Sequence, residues 1–194
     1  VLFARQESVY KSLPDCDVWD IERDARNWPG GTPVVAHPPC RSWGRMRHFA
    51  RPRPDEKDLA RWSVAMVRKW GGVLEHPEAS SLWADQKLPR PGPCIDEHGG
   101  FTLSVLQKWW GHRADKSTWL YICGINRKDV PAFPINLHES RYVVTSSLYR
   151  AGDARWKPHL PKDEREHTPK AFAEWLCELA SLCRPEFYQP TKTA

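Results

Sequence analysis

The chain predicts an α/β domain with a mostly parallel sheet, on three observations. Val34-Val35-Ala36 and Val73-Leu74 are short, largely β-branched apolar runs of the kind that form buried strands. Each ends abruptly in reactive side chains held by proline: the first in His37-Pro38-Pro39-Cys40, the second in Glu75-His76-Pro77. Between them, Asp55 to Trp70 repeats Leu59, Trp62, Met66 and Trp70 at three- and four-residue steps, with acids in its first turn and Gly71-Gly72 after its last. A strand, a long helix and a second strand imply a right-handed parallel crossover.

The other elements follow in order. Val1 to Phe3 reads as a first strand, and Gln6 to Leu13 as a short helix stopped before Pro14. Cys16 to Trp19 reads as a second strand ahead of an acidic turn, and Pro29-Gly30-Gly31 is a turn before the third strand, Pro33 to Ala36. Leu88 to Gly100, rich in Pro and Gly, reads as a loop. Phe101 to Trp110 is expected as a helix ended by Gly111, Ser117 to Cys123 as a strand, Val130 to Pro134 as a linker and Arg141 to Tyr149 as a further strand. The last helix has Thr168 as cap, Pro169 in the first position, and Phe172, Trp175, Leu176, Leu179 and Cys183 along one face. The tail at 190–194 is expected to be disordered.

Composition narrows the class. The 194 residues suit a single domain, 1–194. With 29 Lys+Arg against 24 Asp+Glu the formal charge is +5, which permits a nucleic-acid or nucleotide partner without requiring one. No apolar run is long enough to span a membrane, and no signal peptide is visible. Six scattered cysteines without CxxC pairing suit a reduced, cytoplasmic protein. Most of the 11 tryptophans are expected in the core or lining a groove, with a few available to stack on bases.

The chemistry is expected at the strand ends, because ligands of open α/β sheets bind beyond the carboxyl ends of the strands. Pro38 and Pro39 would hold Cys40 rigidly there. A cysteine thiolate can add to an electrophilic ring, and a glutamate can protonate or hydrogen-bond that ring. The next segment carries Arg41, Arg45, Arg47, Arg51 and Arg53, with Ser42 among them, in a loop suited to phosphate. The bland alternative is a buried structural cysteine beside a solvated loop.

The order of these pieces resembles the catalytic domain of DNA cytosine-5 methyltransferases. Pro38-Pro39-Cys40 matches that family's nucleophile loop, and Glu75-His76-Pro77 is similar to its strand-end Glu tripeptide. Arg113 to Cys123 resembles its basic link and following strand, and Thr168 to Ala173 its closing proline-led helix. Val18 to Asp24 is similar to its second strand, with Glu22 at the position that holds the cofactor ribose. The resemblance implies a Rossmann-like, methyltransferase-type sheet with flanking helices. It also implies a transferase acting on a pyrimidine in DNA or a nucleotide. Cys40 would add to C6, Glu75 would act at N3, and Arg113 or Lys116 would hold O2. S-adenosylmethionine is the implied cofactor, at Phe3 and Glu22. Here the chain departs from the family: the glycine-rich first loop reads Phe3-Ala4-Arg5-Gln6-Glu7-Ser8, which predicts weak or no binding of that cofactor in the usual way. A strand–helix unit is also shortened before Cys40, and no target-recognition domain is present.

Two rivals remain. His37 and Cys40 with Cys94 and His98 offer a zinc ligand set. A degenerate methyltransferase fold that only grips nucleic acid or a partner is the other. By analogy, a compact base-modifying protein suits a bacteriophage or mobile element.

Overall fold

The computed structural model describes residues 1–145 and 149–184. The expected tail at 190–194 and the middle of the expected strand at 141–149 lie outside them. Four strands form one mixed sheet: β1 (Val34–Ala36), β2 (Gly72–Pro77), β3 (Phe101–Leu106) and β4 (Ser117–Cys123), in the order β1-β2-β4-β3. β1 and β2 are parallel, while β4 is antiparallel to both β2 and β3. Among the described residues four α-helices accompany them: α1 (Glu56–Trp70), α2 (Leu82–Asp85), α3 (Lys162–Glu166) and α4 (Lys170–Leu182).

Strand alternation sends successive side chains to opposite faces, and each face collects its own helix. Val35, Val73, Leu120 and Ile122 face α4, meeting Phe172, Leu176 and Leu179. Val34, Ala36, Leu74 and Tyr121 face the other way, against Ala60, Val64 and Val67 of α1 and Leu82 and Trp83 of α2. Both faces of the β1–β2 pair are thus buried, which is why these strands read as continuous apolar runs.

The crossover from β1 through α1 to β2 is present as expected, and so is β4. The helix expected at Phe101–Trp110 is instead strand β3 followed by a 3-10 turn, Gln107–Trp110. The alternation Phe101, Leu103, Val105 was the stronger signal, and the tryptophan pair after it gave a helical spacing by accident. Gln6–Leu13 yields only a 3-10 turn at Val9–Ser12. The first two expected strands shrink to single parallel bridges, Leu2 to Ala36 and Leu2 to Trp19. Tyr142 and Val143 likewise make single bridges, to Ala114 and His159. Thr168 does not cap α4; Pro169 occupies that position, its carbonyl receiving the Ala173 N–H at 3.0 Å. Trp43, Trp83, Trp110 and Trp175 are buried. No helix among the described residues is long and apolar enough to cross a membrane.

Gly72, whose φ is +120°, leaves no room for a side chain. A Cβ there would fall on the Val34 carbonyl oxygen, at the start of the parallel pairing. Gly72→Ala is therefore expected to cost about 3 kcal/mol or more, combining backbone strain with a clash that neither strand can relieve. Urea denaturation of the two proteins measures it.

Candidate functional site

Parity and register build the site. Val35 pairs with Val73, so the next residues on that face, His37 and Glu75, stand side by side at the carboxyl ends of parallel strands. His37 Nδ1 lies 3.0 Å from Glu75 Oε2 and its Nε2 2.8 Å from the Tyr10 hydroxyl. On the other side, Gln107 Nε2 donates to Glu75 Oε1 at 3.2 Å and to Thr118 Oγ1 at 3.0 Å. Glu75 is thus the centre of a polar chain, Tyr10–His37–Glu75–Gln107–Thr118, set on the α4 face of the sheet.

Its electrostatics follow from that chain. Burial, the largest influence, would raise the Glu75 carboxyl. The hydrogen bond from His37 and the charges of His37, Lys116 and His76 together outweigh it and hold the carboxyl down at about 2. Glu75 is therefore ionised at neutral pH and only accepts, so His37 Nδ1 donates to it. Burial keeps the Tyr10 phenol protonated; its hydroxyl donates to Nε2 when the imidazole is neutral.

Cys40 reaches the same place through the rigid Pro38-Pro39 step. Its carbonyl accepts from the N–H groups of Trp43 (3.0 Å) and Gly44 (2.8 Å), which turns the chain immediately after the thiol. Burial first, then the Glu75 charge, pushes that thiol up to about 11, with Lys116 opposing. Lys116 is itself lowered by burial and raised by Glu75, Cys40 and Glu166, and its Nζ donates to the His167 carbonyl at 2.8 Å. Cys40, Glu75 and Lys116 therefore share one electrostatic neighbourhood. Arg113 is drawn elsewhere, pairing with Glu164 at 3.2 Å and covering the Tyr142 ring at 4.2 Å.

On the opposite sheet face His76 bonds Ser80 Oγ at 2.8 Å and borders the Pro38 and Pro39 carbonyls. Burial drives it down to about 4, so a neutral imidazole underlies the step that carries Cys40. Sequence reading missed Tyr10, Gln107 and His76. His37 was visible only as a possible metal ligand, although its place two residues after Val35, matching Glu75 two after Val73, was the available signal. The zinc set is not assembled: no group of three or more His, Cys, Asp or Glu that could hold a metal ion occurs among the described residues, and Cys94 is exposed.

A cavity of about 240 Å³ opens beside Pro39, between Phe3, Asp20, Ile21, Arg26 and Arg53. Phe3 has φ +60°, a left-handed turn made without glycine and braced edge-on against Trp62. Glu22 does not line the cavity; it is exposed and accepts from Gln6 Nε2 at 2.7 Å. The buried acid there is Asp20, which receives Lys11 and the N–H groups of Glu22 and Arg23. In the loop after Cys40, Ser42 is buried. Arg41 and Arg53 converge on the fully buried Glu56, whereas Arg45, Arg47 and Arg51 are exposed.

No family model matches this chain, and neither the curated proteins nor the solved structures yield a match. Its functional reading rests on the geometry above.

The depressed Glu75 carboxyl has a definite sign in stability. Its contribution is complete above the ordinary carboxylate value of 4.5 and is lost as pH falls toward about 2. Denaturant titrations from pH 7 to pH 2 are expected to show the parent protein losing on the order of 3 kcal/mol across that window. Glu75→Gln should be weaker at pH 7 and lack that slope.

Proposed function

We propose that this protein modifies a pyrimidine base by covalent catalysis, in the manner of the cytosine-5 methyltransferases it resembles, with Cys40 as nucleophile. The observation that carries the reading is that a proline-held thiol after β1, an ionised carboxylate held by His37 and Gln107 near the end of β2, and a lysine just before β4 influence one another's charge. The sheet lends support. β1, β2 and β3 run in one direction with β4 reversed, and the bridges of Leu2 extend the parallel part past β1 toward Trp19. Two of the three strand pairings among the described residues are antiparallel, so a Rossmann-like, mostly parallel sheet belongs to this proposal and is supported only by the β1–β2 pair and those bridges.

In this reading the Cys40 sulfur bonds to C6 of the ring as the C5–C6 double bond opens, and the ring carries the resulting charge toward C5 and the exocyclic oxygen. Glu75 accepts a hydrogen bond from a cytosine amino group or a uracil N3–H, and its own bonds to His37 and Gln107 fix its orientation. Lys116 offsets the charge developing on the ring. The thiol proton passes to solvent as the adduct forms. C5 then attacks an electrophilic carbon of a separate donor, whose leaving group departs with the electrons of the broken bond. The C5 hydrogen leaves as a proton to solvent, and its bonding electrons restore the double bond and expel the thiolate. The resting thiol, held near 11, is mostly protonated at neutral pH, so bound substrate and Lys116 must favour the thiolate. The same value favours a second reading, a binding protein on the same scaffold that does no chemistry.

S-adenosylmethionine fits these residues poorly. The cavity beside Phe3 is smaller than a site for a ligand of that size, and Glu22 is tied to Gln6. Calorimetry is expected to find no binding at micromolar concentrations; a micromolar dissociation constant, about −8 kcal/mol, would overturn that. A cytoplasmic setting, in a bacteriophage or mobile element, completes the proposal.

Cys40 can be tested without knowing the transferred group. A pyrimidin-2-one base, lacking the 4-substituent, accepts a thiol at C6. Offered in an oligonucleotide and as a nucleotide, it is expected to raise the intact mass of the parent protein by one whole probe and to leave Cys40→Ala unchanged. Cys40→Ala should also unfold within about 1 kcal/mol of the parent. No adduct on either protein, with a loss of about 1–3 kcal/mol in the variant, would make Cys40 structural.

A further inference from the structure

Two thiols far apart in sequence meet on the α4 side of the sheet. Cys16 Sγ and Cys177 Sγ lie 3.4 Å apart across 161 residues, and both side chains are half-buried. Cys177 stands on α4 and Cys16 in the segment before Val18, and both pack against the core of Tyr10, Phe172 and Leu176. The other cysteines are placed differently. Cys123 and Cys183 are buried, their thiols donating to the Tyr121 hydroxyl (3.1 Å) and the Leu179 carbonyl (3.4 Å). Cys40 is set beside Glu75, and Cys94 is exposed. Among the described residues, Cys16 and Cys177 alone combine contact between two sulfurs with access to a reagent.

The two thiols are not equivalent. Burial first, then the hydrogen bond and the charge of Cys16, push Cys177 up to about 12. Cys177 is therefore a poor first nucleophile, and two of its restraints vanish once the Cys16 sulfur is blocked. The second observation is mechanical. The edge that leads to Cys16 joins the sheet through the single bridges of Leu2, and it is tied further by the Ala4 N–H on the Trp19 carbonyl at 3.3 Å. We propose that Cys16 and Cys177 are a disulfide-forming pair, in which Cys16 reacts first with a low-molecular-weight disulfide and the completed bond staples this loosely paired edge to α4. In the first step the Cys16 thiol gives its proton to solvent and its sulfur bonds to one sulfur of the reagent. The reagent's S–S bond breaks, and the departing half leaves with the electron pair and takes up a proton. Cys177 then gives up its own proton, and its sulfur displaces the second half from Cys16 in the same way. Two protein thiols are oxidised, and one reagent disulfide is reduced to two thiols. The sulfurs close by about 1.4 Å to reach a bond of about 2.0 Å. Tyr10 lies in the turn that precedes Cys16, so the staple also steadies the outer member of the polar chain on Glu75. None of this depends on what Cys40 does.

The test incubates the full chain with glutathione disulfide, alkylates it under denaturing conditions and maps its peptides without reduction. A peptide pair joined through Cys16 and Cys177 is expected, with Cys40, Cys123 and Cys183 alkylated. Closing a loop of this length should raise the urea midpoint by roughly 1 M or more, and dithiothreitol should return it to the reduced value. Cys177→Ser is expected to hold one glutathione on Cys16. Cys16→Ser is expected to take up glutathione at Cys177 on the order of tenfold more slowly than that. Neither variant should show the rise in midpoint. Glutathione resting on both cysteines of the parent, or a parent in which both stay reduced, would overturn the inference. So would faster reaction at Cys177 than at Cys16, or a joined pair with an unchanged midpoint.

Discussion

Val35 lies opposite Val73 across the parallel pairing of β1 and β2, and most of what this molecule can do depends on that register. A slip of one residue would turn His37 or Glu75 to the opposite face of the sheet. Their hydrogen bond would be lost, and a carboxylate turned over in this way would be buried against Trp83 and α1. Gly72 lets the two backbones come together at the start of the pairing, and the prolines after His37 stiffen its exit. The same register delivers the two helices to opposite faces, so the architecture and the site share one cause.

The polar chain around Glu75 shows how a carboxylate survives within an otherwise apolar sheet face. One oxygen receives His37 and the other Gln107, and each of those donors has a second partner of its own, Tyr10 and Thr118. Removing any member strands another, so the penalty of a substitution falls on groups that it does not touch. The thiol is treated oppositely. Among the described residues Cys40 has no comparable side-chain partner, and burial beside a negative charge keeps it neutral. A stable carboxylate and a restrained thiol in one neighbourhood are what a site needs if reactivity is to wait for a ligand.

Much of this was legible in the residues. The crossover could be read from the helical spacing of Leu59 to Trp70 between two β-branched runs, and those runs ended where chemistry belongs. β3 could not be read while Trp109 and Trp110 imitated a helical stripe, and the two N-terminal strands shrink to single bridges because their pairing stops at the Ala4 N–H on the Trp19 carbonyl. Within the site, Cys40, Glu75 and Lys116 lie near enough to influence one another's charge. Arg113 is diverted by an acid, Glu164, some fifty residues away in sequence, and no local pattern reveals a competitor at that distance. Tyr10 was equally hidden, since a tyrosine in a polar segment carries no sign that its hydroxyl will find a histidine on a strand.

Leu2 is held in the sheet by one bridge on each side, and Phe3 and Asp20 hang from that slender edge while forming a wall of the cavity beside Pro39. Local opening free energies are lowest where few backbone hydrogen bonds must break together. This border of the fold is therefore expected to open at a lower free-energy cost than the β2–β4 pairing. A small molecule lodged against it would suppress that opening before it altered any average position. Occupancy there would register as slowed amide exchange at Leu2, Ala4 and Trp19, and the Pro38-Pro39 step would carry the added stiffness directly to the sulfur.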